Sequence, residues 1–421
     1  MINFWLFNLI FIFINYSQQV CTQINKQVLS NNDEVKVKFP GQNFDKKFGL
    51  YSGYFNISTT KKFHYVLTVS KRNPTSDPVI VWFNGGPGAS SLLGMFNEIG
   101  PYLISNDGKN LIENVHSWNN HATVLFIETP AGAGFSYATD KNYTNNDDQI
   151  TEEHYKAIKE FYKKYPNFLN NSFYVAGSSY AGVYCSMLTS KIIQEQKNYK
   201  INLKGLLIGN GMLSQDLNLK SALIYAYAHG VVEERTWLDF NKKCCNGSLE
   251  NFDIEQWDDN YGNKSTSGGY DQSPNACISD EARVNYMNNP DLLKALHIPT
   301  NLNLTWATGS QIVSNNYNVT QYDMTPFIKN VIKAKIPILL YYGDADTVLN
   351  FLGGQMFAEQ LGLKIKTPKT PWVYAGQTAG IKTEYEGLTF ITVIRAGHSV
   401  PQGAPGRSEY FLNQFLNNKP I

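Results

Sequence analysis

A serine stands on a sharp turn between a predicted strand and a predicted helix. Ser179 lies in the run 177–182 (GSSYAG), directly after the apolar residues 173–176 (FYVA). Such a turn exposes its central hydroxyl above a sheet and needs small residues two positions to either side, here Gly177 and Ala181. A glycine and serine loop that caps a helix fits the same residues. The turn therefore predicts a nucleophile only if suitable partners lie elsewhere in the chain.

An imidazole and a carboxylate follow two later predicted strands. A nucleophilic serine needs an imidazole to take its proton, and that imidazole needs an acceptor for its other nitrogen. His398 follows the strand 388–394 through a glycine, whereas the contexts of the other histidines suit structural roles: His64, His116, His121, His154, His229 and His297. Asp344 and Asp346 follow the strand 336–342, and either could orient the imidazole. The order serine, aspartate, histidine is that of the α/β hydrolases.

A glycine-rich loop supplies a candidate oxyanion hole. Residues 84–91 (NGGPGASS) directly follow the predicted strand 79–83. Backbone amides in such a loop can approach a ligand closely because glycine has no side chain. A phosphate cradle is the competing interpretation, but the loop lacks both a lysine and the G-x-x-x-x-G-K-[ST] spacing. The loop therefore favours an oxyanion hole.

Short apolar runs alternate with helical patterns along the chain, and this alternation predicts the fold class. The predicted strands cover residues 79–83, 123–127, 173–176, 203–208, 336–342 and 388–394, and helices are predicted at 152–165 and 356–361. We expect an α/β fold with a mostly parallel central sheet and helices on both faces. Helical segments at 219–229 and 281–295 predict an insertion or lid over the strand ends at about 214–301. A separate domain there is the alternative.

Composition excludes several classes of protein and predicts a leader. The chain has 421 residues, 43% of them hydrophobic, and a net charge of +1 without charge blocks, which argues against disorder and nucleic-acid binding. Residues 4–14 are apolar except for Asn8, too short for a membrane span but typical of a secretory leader at 1–22, with cleavage between Ser17 and Thr22. A buried amino-terminal helix is the alternative. We expect the mature chain, residues 23–421, to lack a membrane span.

Cysteines and glycosylation sequons agree with a secretory route. We expect Cys185 to be a buried free thiol and Cys277 to pair with Cys244 or Cys245, while Cys21 leaves with the leader or lies near the new terminus. The spacing does not fit a four-ligand zinc site. Sequons that indicate glycosylation lie at Asn56, Asn142, Asn170, Asn246, Asn263, Asn303 and Asn318.

These motifs together resemble the serine carboxypeptidase family. The loop 84–91 is similar to its N-G-G-P-G-C-S-S, and the turn 177–182 is similar to its G-E-S-Y-A-G. Further similar segments, in family order, are 96–101 (FNEIGP), 132–137 (GAGFSY), 343–350 (GDADTVLN) and 396–401 (AGHSVP). The resemblance extends from about residue 53 to residue 415. It implies the α/β-hydrolase fold and removal of single residues from the carboxyl ends of peptides.

The resemblance also implies roles for particular residues. Ser179 would be the nucleophile, His398 the base and Asp346, rather than Asp344, the orienting acid. The implied oxyanion donors are the amides of Gly86 and Tyr180, and the implied ligands of the substrate carboxylate are Asn84, Gly85 and Glu98. No metal or organic cofactor is needed. The implied location is the lysosome, the vacuole or the medium, and a homodimer is compatible with the sequence.

The chain departs from the family pattern near the site. Ser178 replaces a second glutamate that would help to bind the substrate carboxylate, so we expect activity to depend less on acid or to be weak. Ala89 and Gly309 replace two cysteines that look like disulfide partners. Leu349 and Ser399 replace a cysteine and a frequent methionine near the catalytic groups, which leaves the preferred leaving residue open.

Two other functions fit the same scaffold. An acyltransferase would use the same triad and pass the acyl group to an alcohol. A non-catalytic protective or binding protein would keep the scaffold alone, but the retained serine, aspartate and histidine argue against it. The sequence favours a serine carboxypeptidase.

Overall fold

The computed structural model describes residues 32–245 and 279–421. Its strands are β1 Leu50–Asn56, β2 Lys61–Thr68, β3 Val79–Phe83, β4 Tyr102–Ile104, β5 Leu111–Glu113, β6 Thr123–Ile127, β7 Tyr137–Ala138, β8 Asn145–Asn146, β9 Phe173–Ser179, β10 Leu203–Gly211, β11 Tyr317–Asn318, β12 Ile338–Gly343, β13 Ile365–Tyr374, β14 Gln377–Tyr385 and β15 Leu388–Val393. Its α-helices are α1 Asp147–Lys164, α2 Ala181–Gln194, α3 Gln215–Ala228, α4 Glu234–Cys245, α5 Asp280–Met287, α6 Pro290–Ala295, α7 Gln311–Asn316, α8 Thr325–Lys333, α9 Phe351–Gln360, α10 Val400–Gly403 and α11 Pro405–Leu416. A π-helical turn covers Gly94–Glu98.

One large mixed sheet forms the centre of the molecule. Its strand order is β1-β2-β6-β3-β9-β10-β12-β15-β14-β13, and β7 pairs with β2. The six strands from β6 to β15 in this order are parallel, whereas the strands at both edges are antiparallel. The predicted α/β fold with a mostly parallel sheet is confirmed. Because parallel strands end at the same edge, the segments after β3, β9, β10, β12 and β15 lie on one side of the molecule.

The central strands are mostly apolar because both faces of the sheet are covered. Along β10, Leu206 and Ile208 join one buried cluster, whereas Leu207 joins the other. Helices α1, α2 and α8 pack on the first face, and α11 packs on the second through Phe411 and Leu412. A strand with helices on both sides has no polar face to alternate with.

The predicted elements differ from the structure mainly at their ends and edges. The predicted strands 79–83 and 123–127 are β3 and β6, whereas β9 and β10 each run three residues further than predicted. The single helix predicted at 281–295 is wrong. The structure has α5 and α6 there, because Asn289 caps a new helix with Pro290 in its first position. The hairpins β1-β2 and β13-β14 were not predicted from the sequence.

The region between β10 and β12 contains the helices predicted as an insertion. Helix α3 contacts the end of β12, where Tyr225 Oη donates to the carbonyl of Asp344 at 2.8 Å. The limits of the insertion, about 214–301, stay a prediction. The leader at 1–22, residue Cys277 and the side chains of Cys244 and Cys245 lie outside the described residues, so the predicted disulfide does too. Cys185 is a buried free thiol, as predicted.

Within residues 32–245 and 279–421, none of the helices combines the length and the apolar character that crossing a membrane requires.

Candidate active site

Ser179 ends β9 in a backbone conformation that few side chains adopt. Its φ is +65°, and helix α2 begins two residues later at Ala181. A side chain at Gly177 would come within 3 Å of the Phe83 carbonyl, Ala181 Cβ and Cys185 Sγ. The close approach of strand and helix therefore requires glycine there. The turn holds the Ser179 hydroxyl at the carboxyl edge of the sheet, where strain is typical of functional positions.

Asp346 and His398 meet at the same edge. His398 Nδ1 lies 2.8 Å from Asp346 Oδ2, and the imidazole is 40% exposed whereas the carboxylate is only 1% exposed. The other candidate acid, Asp344, instead accepts a hydrogen bond from the backbone amide of Arg395 at 2.6 Å. The geometry thus brings together the aspartate and the histidine that the family resemblance implies.

Asn210 fixes the acid from the neighbouring strand. Its Nδ2 donates to Asp346 Oδ2 at 2.6 Å, and its Oδ1 accepts from the Gly343 amide at 3.1 Å. The amides of Val348 and Leu349 also donate to the Asp346 carboxylate. Asn210 was not predicted as a site residue, although its place between two glycines at the end of a predicted strand was an available indication.

These contacts shift both protonation equilibria. Burial opposes the charged form of Asp346, but the hydrogen bond and positive charge of His398, with the Val348 and Asn210 donors, hold its pKa below the usual value. Burial lowers the pKa of His398, but the Asp346 hydrogen bond and the charges of Asp346 and Glu98 outweigh burial and raise it above the usual value. These contacts therefore favour the protonated form of His398, as a histidine that takes a proton from a serine would require.

Two contacts hold the residues on either side of His398 against the carboxyl edge of the sheet. A Cβ on Gly343 would come within 2.4 Å of the carbonyl oxygens of Ala396 and Gly397, so the segment before His398 lies against the end of β12. Ser399 Oγ donates to Glu98 Oε2 at 2.7 Å. Glu98 follows β3, which pairs with the serine strand β9 on its other side. The segment that carries the imidazole therefore contacts the last residue of β12 and a residue that follows β3, and these two strands lie on opposite sides of β9 in the strand order.

Within residues 32–245 and 279–421, Ser179 Oγ forms no hydrogen bond, so the bond expected with His398 Nε2 is not made. This differs from the sequence-based expectation of direct contact. In serine hydrolases this bond is often long in the free enzyme and shortens when substrate binds. Among the described residues, the position of the Ser179 side chain therefore depends on the backbone turn and on no hydrogen bond to its hydroxyl.

Two backbone amides without a partner lie in the segments that adjoin Ser179. Neither the Gly86 amide nor the Tyr180 amide donates a hydrogen bond to a described residue. Gly86 has φ +106°, and a Cβ on Gly85 would lie 2.3 Å from the Tyr180 nitrogen. Glycine at position 85 therefore lets the loop touch the turn. Two unpaired amides in adjoining segments are what an oxyanion hole requires.

The residues implied in carboxylate binding form a buried polar group. Asn84 Nδ2 donates to Glu98 Oε1 at 2.9 Å, while Asn84 Oδ1 accepts from Trp82 Nε1 at 2.8 Å. Ser178 is 7% exposed, and its hydroxyl and the Gly85 amide make no hydrogen bond to the described part of the chain. Ser399 was noted in the sequence only as a departure near the site, and its bond to Glu98 was not predicted.

Backbone pairing joins the two positions where the family has cysteines. Ala89 and Gly309 form an antiparallel bridge, with hydrogen bonds from Ser90 N to Thr308 O at 3.1 Å and from Ser310 N to Gly88 O at 3.0 Å. The glycine-rich loop is therefore tied to the segment after α6 without a covalent link.

A second serine, histidine and carboxylate group lies inside the molecule. His64 Nε2 is 2.9 Å from Ser52 Oγ, and His64 Nδ1 is 2.9 Å from Glu128 Oε2. Ser52 donates its own proton to the Leu296 carbonyl at 2.8 Å, so His64 Nε2 must donate to Ser52. The Ser90 hydroxyl and the Phe135 amide also donate to Glu128. We call Ser52, His64 and Glu128 the buried trio; all three are fully buried.

The remaining histidines have structural partners. His154 is fully buried beside Thr129 Oγ1, and burial lowers its pKa to about 3. His116 and His121 bind Glu409. His229 stacks on the ring of Tyr225, and His297 binds the Ser52 carbonyl.

The chain matches known proteins along most of its length. The family model described as serine carboxypeptidase matches residues 40–275 and 259–418. A serine carboxypeptidase of Caenorhabditis elegans is 34% identical over 435 residues, covering 90% of this chain and 92% of that protein. The lysosomal protective protein of Mus musculus is 33% identical over 453 residues, covering 93% and 94%.

A solved structure agrees in fold. The crystal structure of Kex1, a prohormone-processing carboxypeptidase from Saccharomyces cerevisiae, superposes with a TM-score of 0.76 and 21% identity, covering 88% of this chain and 92% of that one. With the family match and the two relatives, this leads to one conclusion: the chain belongs to the serine carboxypeptidase family.

Proposed function

We propose that Ser179, Asp346 and His398 are the catalytic triad of this serine carboxypeptidase. The observation that carries the proposal is the 2.8 Å hydrogen bond between buried Asp346 and accessible His398, at the sheet edge where Ser179 has φ +65°. An accessible imidazole held by a buried carboxylate is the arrangement that general-base catalysis needs.

In the first half of the reaction, the peptide is cleaved. Ser179 Oγ attacks the carbonyl carbon of the last peptide bond, and its proton passes to His398 Nε2 while Asp346 stabilises the imidazolium. The amides of Gly86 and Tyr180 donate to the oxyanion. His398 then gives the proton to the leaving nitrogen, and the terminal amino acid departs.

In the second half, water completes the cycle. His398 takes a proton from water, the hydroxide attacks the acyl carbon, and the proton returns to Ser179 Oγ as the shortened peptide leaves. The products are a peptide one residue shorter and a free amino acid.

Recognition of the substrate carboxylate falls to uncharged donors. Asn84 Nδ2 has a second hydrogen beyond the one given to Glu98, and the Gly85 amide and Ser178 hydroxyl have no partner in the described residues. Glu98 can donate only when it is protonated, but a hydroxyl donates at any pH. Ser178 thus reduces the dependence of carboxylate binding on acid.

The proposed setting is the secretory pathway, with the lysosome, the vacuole or the medium as destination. The name of the mouse relative, lysosomal protective protein, supports a lysosome-like compartment. The predicted leader, the insertion at about 214–301 and a homodimer remain part of this proposal.

Release of free amino acids from blocked dipeptides tests the function. The wild-type chain should release the terminal residue, and dipeptides with a carboxyl-terminal amide should be poorer substrates because they lack the carboxylate. Supplying an alcohol with an ester donor checks the acyltransferase alternative. Efficient ester formation without peptide cleavage would contradict the proposal.

A further inference from the structure

The side chain of Tyr180 is held by a single buried carboxylate. Tyr180 Oη donates to Asp147 Oδ1 at 2.6 Å, and the tyrosine is 7% exposed. Its ring packs edge-on against Tyr184 and Tyr317, with centroid distances of 5.3 Å and 5.9 Å. Both ends of this residue are therefore fixed, because its backbone also begins the turn into α2.

The Asp147 side chain accepts several hydrogen bonds from residues outside its own helix. It is fully buried at the first position of α1 and accepts from Tyr180 Oη, from Tyr317 Oη at 2.8 Å and from the Thr320 and Gln321 amides at 2.6 and 2.9 Å. Thr320 Oγ1 adds a fifth bond at 3.2 Å. The carboxylate therefore joins three separate segments.

We propose that Asp147 is a positioning residue for the oxyanion hole, acting through the hydroxyl of Tyr180. The peptide between Ser179 and Tyr180 follows a residue with φ +65°, so it needs a restraint to keep its amide directed at the oxyanion. The hydrogen bond from Tyr180 Oη to Asp147 supplies that restraint, because it fixes the side chain of Tyr180. This inference rests on the proposed role of Ser179 and Tyr180.

Tyr180→Phe tests the inference, because it removes the hydroxyl but keeps the ring and the backbone amide. We expect kcat on blocked dipeptides to fall about tenfold while KM stays within twofold, since losing an oxyanion donor outright costs about 100-fold or more. The matched variant is Tyr317→Phe, which removes a bond to the same Asp147 oxygen from a residue outside the turn. The melting temperature of Tyr317→Phe should fall by about as much as that of Tyr180→Phe, but its kcat should stay unchanged.

Two further variants complete the design. Asp147→Asn combined with Tyr180→Phe should lower kcat no further than Asp147→Asn alone, because both remove the same restraint. Tyr162→Phe, a buried tyrosine of α1 whose hydroxyl has no partner among the described residues, is the neutral control. Equal losses of kcat in Tyr180→Phe and Tyr317→Phe, or full kcat in Tyr180→Phe, would overturn the inference. Activity retained in Ser179→Ala would instead overturn the proposed function.

Discussion

The molecule contains a serine, histidine and carboxylate group at the edge of its sheet and another in its interior. At the edge, His398 is 40% exposed and binds Asp346, while the hydroxyl of Ser179 has no hydrogen-bond partner among the described residues. In the buried trio, all contacts are made, but both ionisable side chains are 0% exposed. The more complete set of hydrogen bonds therefore belongs to the group that no substrate can reach.

The direction of the hydrogen bonds explains the difference in role. A general base must accept the serine proton at Nε2, but His64 Nε2 donates to Ser52 because the Ser52 proton is already given to the Leu296 carbonyl. Ser179 keeps its proton free and has unpaired amides beside it. Contact among the three residue types is thus insufficient for catalysis; access, a free hydroxyl and oxyanion donors are also required.

Replacing each serine by alanine should separate the two groups most strongly. Ser179→Ala should lower kcat/KM on blocked dipeptides by about 10⁴-fold or more, because the nucleophile is lost. Ser52→Ala should leave kcat/KM unchanged for the folded fraction and lower the free energy of unfolding by about 1–3 kcal/mol, because it leaves a buried donor unpaired. Steady-state kinetics and denaturant unfolding measure both. A large loss of kcat in Ser52→Ala would contradict the structural role given to the buried trio.

The two acids should differ in the same way. Asp346→Asn should reduce kcat about 10⁴-fold, since the imidazolium and its orientation lose their support. Glu128→Gln should instead lower the free energy of unfolding by about 1–3 kcal/mol, because it leaves a buried hydrogen-bond donor near Glu128 without an acceptor. The checks are kcat at saturating substrate and urea unfolding of each variant. If Asp346→Asn kept most of its kcat, Asp346 would not be the orienting acid.

A glutamate at position 178 should change only the group at the edge. In the wild-type chain, kcat/KM should rise as pH increases through the raised pKa of His398, because only the neutral imidazole is a base. In Ser178→Glu, the introduced carboxylate and Glu98 would share one proton. Binding of the substrate carboxylate should therefore weaken when that proton is lost at higher pH.

The pH profile of kcat/KM on a blocked dipeptide measures this difference, with an ester substrate that lacks the free carboxylate as control. A steep loss of activity above acidic pH in both proteins would contradict the role given to Ser178.

A disulfide between the bridged positions should have the smallest effect on catalysis. The pair Ala89→Cys and Gly309→Cys should stabilise the fold by about 2–4 kcal/mol, since directly paired antiparallel residues have suitable Cα separations and a Cβ at position 309 meets no atom within 4 Å. Thermal unfolding with and without reductant tests this, with each single cysteine as control. An unchanged melting temperature in the oxidised double variant would show that the pairing already supplies the restraint.

The central fold was predictable because it depends on local patterns. The run 79–83 is apolar at each position and became β3 without change, since a strand covered on both faces has no competing pattern. Strand β13 was missed because it is an edge strand with mostly exposed side chains and two prolines, Pro368 and Pro371. Strand β13 is held by antiparallel backbone pairing with β14, and this pairing leaves no apolar pattern in the sequence.

The site was predictable only where it follows strand ends. Ser179, Asp346 and His398 each follow a strand that the sequence indicates, and parallel strands end together. Asn210 and Asp147 act through contacts between segments more than 30 residues apart, which no local spacing encodes. For the same reason, the meeting of Ser52, His64 and Glu128 could not be predicted from sequence.

Labelling with a fluorophosphonate probe tests the central claim most directly, because the reagent reacts with an activated serine and needs no knowledge of the preferred substrate. Mass spectrometry of the labelled chain should place the adduct on Ser179, the rate should fall sharply in His398→Ala, and Ser52 should remain unmodified. Absence of labelling at Ser179 in the folded protein, or an equal rate in His398→Ala, would contradict the account.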